Sequence, residues 1–216
     1  MYRYLQYLHR CFKLRNSRYQ NLFRTIRAHQ CQQIVEVGVY NGRTARKMIQ
    51  TASISHRPAE IFYHGFDLFE QLTDGELESE LSKRPPTRSV VQSLLHRTGA
   101  NINLYQGNTL NTLSKFADAG ALDDSLNTLI FIDGGHSAET VDHDWENLQP
   151  CLTRKTVVIF DDYYPNAHPA IEGKGCQKLV HSLDPARYRT KILEPVNQFQ
   201  KDWGELQIQM VQLQLV

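Results

Sequence analysis

No stretch of this sequence approaches the ~18 consecutive apolar residues that a membrane-spanning helix needs. The four cysteines, Cys11, Cys31, Cys151 and Cys176, form no C-x-x-C pair, which argues against a structural zinc site. The apolar core of a secretory signal is also missing, because charges interrupt the N-terminus every few residues. Reduced thiols and a cytoplasmic location are the resulting expectation. There is no internal repeat and no low-complexity tract. Acids are absent from residues 1–30, where Arg3, Arg10, Lys13, Arg15, Arg18, Arg24 and Arg27 give +7. The remainder therefore carries −6, although the formal net charge is only +1. No aromatic–basic sheet motif or zinc finger accompanies this basic head, and the acidic body opposes nucleic-acid binding. The plainest reading is a solvated helical face packed on a sheet edge. A second is contact with an acidic membrane surface through Tyr2, Tyr4, Leu5 and Leu8.

The chain has 216 residues, 41% of them hydrophobic and 22% charged, which suits one ordered domain with a substantial core. Residues 1–29 read as helical, in one or two pieces. From there apolar strands alternate with helical spacing. Gln33–Gly38, Ile61–Asp67, Ile102–Tyr105, Thr128–Asp133 and Thr156–Asp161 read as strands. Helical runs fall at 43–52, 89–97 and 110–116 and around Val141, Trp145, Leu148 and Leu152. Such alternation implies a parallel sheet covered on both faces. The end differs, because Tyr188–Leu193 and Glu205–Val216 have no crossover helix between them and should pair antiparallel. In the last run the apolar parity changes after Met210, which suggests a β-bulge.

The first strand runs into Glu36-Val-Gly38-Val-Tyr-Asn-Gly42 and then a helix. Glycines allow a sharp turn and a close approach to a ligand, beside the free N–H groups of a helix N-terminus. The spacing is G-x-x-x-G, not the G-x-G-x-x-G that cradles a pyrophosphate, so it suits a nucleoside better than NAD. Asp67 closes the second strand, where a carboxylate can accept ribose hydroxyls, and Gly107-Asn108 lies on the same edge.

These residues resemble the first motif of class I S-adenosylmethionine (SAM) dependent methyltransferases. The resemblance covers roughly residues 30–165 and extends to the terminal antiparallel pair. It implies a Rossmann-like α/β three-layer sandwich with a seven-stranded, mostly parallel sheet whose last strand is antiparallel. It also implies that Gly38 and Gly42 line the methionine part of SAM, with Glu36 beneath. Asp67 would hold the ribose, and Asn108 would lie near the adenine. The expected organisation is a basic helical segment over 1–29 followed by a methyltransferase domain over 30–216.

The strongest local pattern is Phe131-Ile-Asp133-Gly-Gly-His136 followed by Ile159-Phe-Asp161-Asp162. Both sets end neighbouring strands, which lie ~4.8 Å apart. Three converging carboxylates repel, so one must take a proton or a cation must neutralise them. All-oxygen ligands favour Mg²⁺ or another hard divalent cation. Such an ion acidifies a substrate hydroxyl, and His136 is a candidate proton acceptor. The set is similar to macrocin-type sugar O-methyltransferases of methyltransferase family 24. That resemblance implies metal binding by Asp133, Asp161 and Asp162, SAM contact by Asp133, and catalysis by His136 or Asp133. Two positions depart from the family pattern: Ala138, where an aromatic is usual, and Lys155-Thr156, where Gly-Gly is usual.

The expected activity is divalent-metal-dependent O-methylation of a small hydroxylated acceptor, a sugar or a phenol, in a homo-oligomer. The rivals are an NAD(P) oxidoreductase and a SAM-fold interaction protein without catalysis. Segments 68–87, with Phe69, Asp74 and Glu76, and 163–175, with Tyr163, Tyr164 and His168, are candidate lids.

Overall fold

A computed structural model of the chain describes residues 2–79 and 83–216, without the side chains of residues 2, 76, 78 and 79. The roles expected of the Tyr2 and Glu76 side chains, and of residues 80–82 within the first lid, lie outside the described residues. Two helices lead, α1 (Tyr2–Lys13) and α2 (Gln20–His29). Then come β1 (Gln33–Val37), α3 (Arg43–Ala52), β2 (Phe62–Asp67), α4 (Asp74–Ser79), α5 (Arg88–His96) and β3 (Asn101–Gln106). They are followed by α6 (Thr109–Asp118), β4 (Thr128–Ile132), α7 (Ala138–Leu148), β5 (Thr156–Tyr163), α8 (Gln177–Ser182), β6 (Tyr188–Lys201) and β7 (Gly204–Leu215). Two short helices escape the periodicity: α4 lies in the segment read as a loop, and α8 follows the second lid. Each spans 6 residues, too few for an apolar stripe to stand out.

The strands form one sheet in the order β3-β2-β1-β4-β5-β7-β6. Strands β1 to β5 pair in parallel, and β7 runs antiparallel between β5 and β6. This is the Rossmann-like three-layer sandwich that the resemblance implies, and its parallel part is the one expected from the alternation. Because strand side chains alternate faces, β4 sends Leu129 and Phe131 into one core layer and Ile130 and Ile132 into the other. The first layer is closed by α2, α3 and α5, with Leu22, Phe23, Ile26, Met48 and Leu95 almost wholly buried. The second is closed by α6, α7 and α8 through Phe116, Trp145 and Leu179. Helix α2, from the basic head, is thus part of the main core.

The parity change in the last strand has a different origin from the one expected. Strand β7 alternates regularly, and its two halves bury opposite faces: Leu206, Ile208 and Met210 on one side, Val211 and Leu213 on the other. The irregularities lie in its partners. Between Phe160 and Tyr163, β5 holds one residue more than β7 needs, and between Leu193 and Asn197, β6 holds two more. Both bulges face the same short stretch of β7, and both shape the site below.

The four cysteines are free, and no described helix is long and apolar enough to cross a membrane. On α1, Tyr4, Leu5, Leu8 and Phe12 are exposed, while Arg10 turns inward. Its guanidinium donates to the Lys47 carbonyl (2.7 Å), to Thr51 Oγ1 (2.8 Å) and to Gln50 Oε1 (2.8 Å) on α3.

Candidate active site

A cavity of about 440 Å³ opens at the carboxyl ends of β1, β2, β3 and β4, where the strand order reverses between β1 and β4. Gly38, Asp67, Asn108, Asp133 and His136 line it, as the sequence suggests, and so do Tyr19, Tyr40, Leu72 and Pro85. Gly38 has φ 89°, and a Cβ there would stand 1.9 Å from the Asp133 carbonyl oxygen, so only glycine lets these two strand ends meet. Asp67 accepts from the Tyr40 N–H (2.7 Å) and the Phe69 N–H (2.8 Å), tying the β1–α3 turn to the end of β2. Burial raises its pKa against the pull of those N–H donors. Asn108 caps α6, its side chain accepting from the Leu110 N–H at 2.9 Å.

Two expected cofactor residues lie behind the cavity rather than in it. Glu36 is fully buried under the turn, with the Tyr63 hydroxyl donating to it, and desolvation pushes its pKa up to about 8. Gly42 starts α3 at φ 68°, and a Cβ there would lie 2.9 Å from Val91 Cγ1, so it serves the packing of α3 on α5.

The carboxylates converge through the β5 bulge. On a regular strand Asp161 and Asp162 would point to opposite faces. The extra residue and the left-handed backbone of Asp162 (φ 55°) bring both within reach of one guanidinium. That guanidinium is Arg18, from the turn between α1 and α2. Its Nε donates to Asp161 Oδ1 at 2.5 Å and its Nη2 to Asp161 Oδ2 at 2.8 Å, and Nη2 lies 3.8 Å from Asp162 Oδ1. Burial alone would lower the Arg18 pKa, but the Asp161 charge and hydrogen bonds outweigh it and hold the group above its usual range. The neighbouring Tyr19 hydroxyl donates to Asp133 Oδ2 at 3.0 Å. Burial, then Asp133 and Asp161, raise the pKa of that phenol, so it stays a neutral donor. Asp133 is itself raised well above the carboxylate range, by burial first and then by Asp161 and Asp162.

His136 completes the group. Its Nε2 lies 3.2 Å from Asp162 Oδ2, and its Nδ1 is buried without a hydrogen-bond partner. Burial, reinforced by Asp161, brings Asp162 up to about 6 against the pull of His136 and Arg18. Gly175 packs where a Cβ would be 2.2 Å from the Asp162 carbonyl oxygen, and its N–H donates to the His136 carbonyl at 2.8 Å. The backbone around both residues is therefore braced.

The residues expected to hold Mg²⁺ have a different partner here. The three aspartates do come together, but no group of His, Cys, Asp and Glu among the described residues is arranged to hold a metal. Both oxygens of Asp161 are taken by Arg18, and those of Asp162 face Arg18 and His136. A divalent cation held here would have to share Asp161 with a guanidinium and sit against its charge. The residues present do not fit it.

Arg18 and Tyr19 were not singled out from the sequence as site residues. The available signal was the charge asymmetry, since an acid-free head and a cluster of acids imply each other. The second lid also differs from expectation. Tyr163 and Tyr164 are buried, the Tyr164 side chain hydrogen-bonding Asp162 rather than lining the cavity, and His168 stacks on Trp203 at 4.3 Å between ring centroids. In the first lid Leu68, Leu72, Lys83 and Pro85 line the cavity, whereas Phe69 is core and Asp74 pairs with Arg84.

Fold and cavity together define a class I SAM-dependent methyltransferase. Residues 35–163 match the family model described as a methyltransferase domain, and the chain belongs to that family, methyltransferase family 24. No curated protein matches the sequence. Solved structures match in fold at low identity. An O-methyltransferase from Bacillus cereus in complex with SAH has TM-score 0.57 at 13% identity, over 100% of this chain and 91% of that one. TomG, an O-methyltransferase from Streptomyces achromogenes in complex with SAM, has TM-score 0.56 at 11% identity, over 92% and 79%. A Podospora anserina methyltransferase, PaMTH1, bound to SAH has TM-score 0.56 at 16% identity, over 92% and 77%.

Proposed function

We propose that this methyltransferase methylates a hydroxyl oxygen of a small acceptor, a sugar or a phenol. The observation that carries the reading is one cavity lined by Gly38, Asp67 and Asn108 together with Asp133 and His136. Oxygen as the acceptor atom is supported by the two O-methyltransferases of similar fold, TomG and the Bacillus cereus enzyme. SAM, when bound, supplies a methyl group already activated on a sulfonium.

The chain's own residues do the rest. Gly38 abuts the methionine part, Asp67 holds the ribose and Asn108 borders the adenine, while Glu36 and Gly42 shape the turn from behind. A cavity of about 440 Å³ leaves room for a small acceptor beside the cofactor. Holding the acceptor oxygen in line with the methyl group supplies much of the acceleration. Asp162 Oδ2 stands 3.2 Å from His136 Nε2 and steadies the ring, and His136 lines the cavity into which the acceptor's proton must leave. Asp133, one of its oxygens held by Tyr19, lines the cavity beside His136. No divalent cation enters this reading.

Titration calorimetry with SAM and with NAD, followed by a methyl-transfer assay over sugars, catechols and phenols, tests it. SAM binding and transfer to a hydroxyl are expected. NAD binding in place of SAM would overturn the reading. SAM binding without transfer to any acceptor would instead select an interaction protein built on this fold.

A further inference from the structure

We infer that Arg18 is the resident cation of this active site, a positioning residue that neutralises Asp161 and Asp162 and makes methyl transfer independent of divalent metal. The inference rests on the methyl-transfer reading above and goes beyond it, since it says what replaces the metal.

Three observations carry it. First, the guanidinium meets Asp161 with two donors, at 2.5 and 2.8 Å, the planar fork-on-carboxylate geometry that makes arginine the strong partner of a buried acid. Arg18 is 7% exposed and Asp161 3%, so this is an interior ion pair rather than a surface arm lying on the site by chance.

Second, the segment that bears Arg18 is fastened down independently of the guanidinium. The Arg18 N–H donates to Asn197 Oδ1 at 2.9 Å, Asn197 Nδ2 donates to the Asn16 carbonyl at 2.8 Å, and Asn21 Nδ2 donates to the Glu194 carbonyl at 3.1 Å. All three bonds reach the β6 bulge, the one irregular stretch of that strand. The bulge is a socket for residues 16–21, and it holds Arg18 at the carboxylates as a fixed part of the fold.

Third, the charge passes along a chain of contacts to the cavity. Arg18 sits on Asp161 and beside Asp162, Asp162 orients His136, and Tyr19, next in sequence, holds Asp133. Arg18 does not line the cavity itself, whereas Tyr19, Asp133 and His136 do. It acts through them: with the two buried acids balanced, Asp162 remains a carboxylate able to accept from His136. A divalent cation would perform the same neutralisation, but it would need the oxygens Arg18 already occupies.

The test is metal binding, read apart from turnover. Wild-type protein, stripped with EDTA, is titrated with Mn²⁺ and followed by electron paramagnetic resonance, and its methyl transfer is measured with and without EDTA. Expected are no bound-Mn²⁺ signal and unchanged turnover. Arg18→Ala empties the guanidinium position and leaves the acids uncompensated, so this variant is expected to gain a bound-Mn²⁺ signal that wild type lacks. Should Arg18→Ala not fold, Arg18→Met keeps much of the packed stem without the charge and is titrated in the same way. Bound Mn²⁺ in the wild type, or turnover lost to EDTA and restored by Mg²⁺, overturns the inference. A folded Arg18 variant that binds no Mn²⁺ also overturns it. SAM binding by calorimetry is run alongside, because its loss would count against the methyl-transfer reading, whereas wild-type metal binding counts only against Arg18.

Discussion

Two of the buried acids, Glu36 and Asp161, are balanced in two different ways. At the end of β1, Glu36 faces only the neutral hydroxyl of Tyr63, and its pKa climbs to about 8. At the end of β5, Asp161 faces the permanent charge of Arg18. A phenol offers one hydrogen bond and no charge, so a desolvated carboxyl beside it keeps its proton. A guanidinium offers two donors and a charge, so it meets a buried acid with both hydrogen bonds and opposite charge. The first arrangement suits a group that shapes a turn from behind. The second suits a site where an ionised acid must orient a histidine.

The largest test of the contrast is removal of the charged partner. Arg18→Ala leaves buried acids uncompensated and is expected to destabilise the fold by about 3–5 kcal/mol, the usual cost of breaking a buried pair from one side. Denaturant unfolding measures it, and a loss near zero would put Asp161 in the same class as Glu36.

The neutral partner should announce itself through pH. The folded state binds the Glu36 proton more tightly than the unfolded chain does. Its contribution is therefore fully present below about 4.5 and lost as pH rises through about 8. Wild-type stability should fall across that window by a few kcal/mol, on the order expected for such a shift. In Glu36→Gln the fall should be absent, and the variant should be the more stable protein above that window. Unfolding midpoints measured across the pH series settle the point, and identical profiles would mean that Glu36 is ionised in the fold.

Asp162→Asn sharpens the functional side of the contrast. An amide cannot hold His136 as a carboxylate does, and kcat should drop roughly 10²-fold, the lower range for general-base contributions. Full activity would free His136 from its assigned role. The smallest effect is expected at Tyr19→Phe, which removes one donor from Asp133 and should cost about 1–2 kcal/mol in denaturant. No change there would mean that Asp133 is satisfied without the phenol.

Much of this architecture was readable from periodicity. Strands β1 to β5 and the helices between them stand out because each buries a continuous run or a stripe, as Ile34, Val35 and Val37 and then Val141, Trp145 and Leu148 do. The edge that lines the cavity was readable for the same reason, since Gly38 and Asn108 lie just beyond a strand and Asp67 ends one. Glu36 and Gly42 fell on the right turn but behind it, and one dimension of sequence does not separate lining from backing. The acidic cluster was readable too, and so was its need for a cation. The identity of that cation was not, because Arg18 lies 143 residues from Asp161 and no local spacing links them. The bulges were hidden in the same way: β7 looks irregular in sequence because its two partners are.

The socket in β6 ties the beginning of the polypeptide to its end. The three bonds that seat residues 16–21 span 179, 181 and 173 residues. Contacts so distant along the chain form late, because a long loop must close before they are made. During synthesis Arg18 leaves the ribosome well before Glu194 and Asn197 and must wait for them. Asp161 and Asp162 therefore emerge before the socket that fixes their partner exists. Removing residues 16–21, or the β6 bulge that seats them, would deprive Asp161 and Asp162 of their counter-charge.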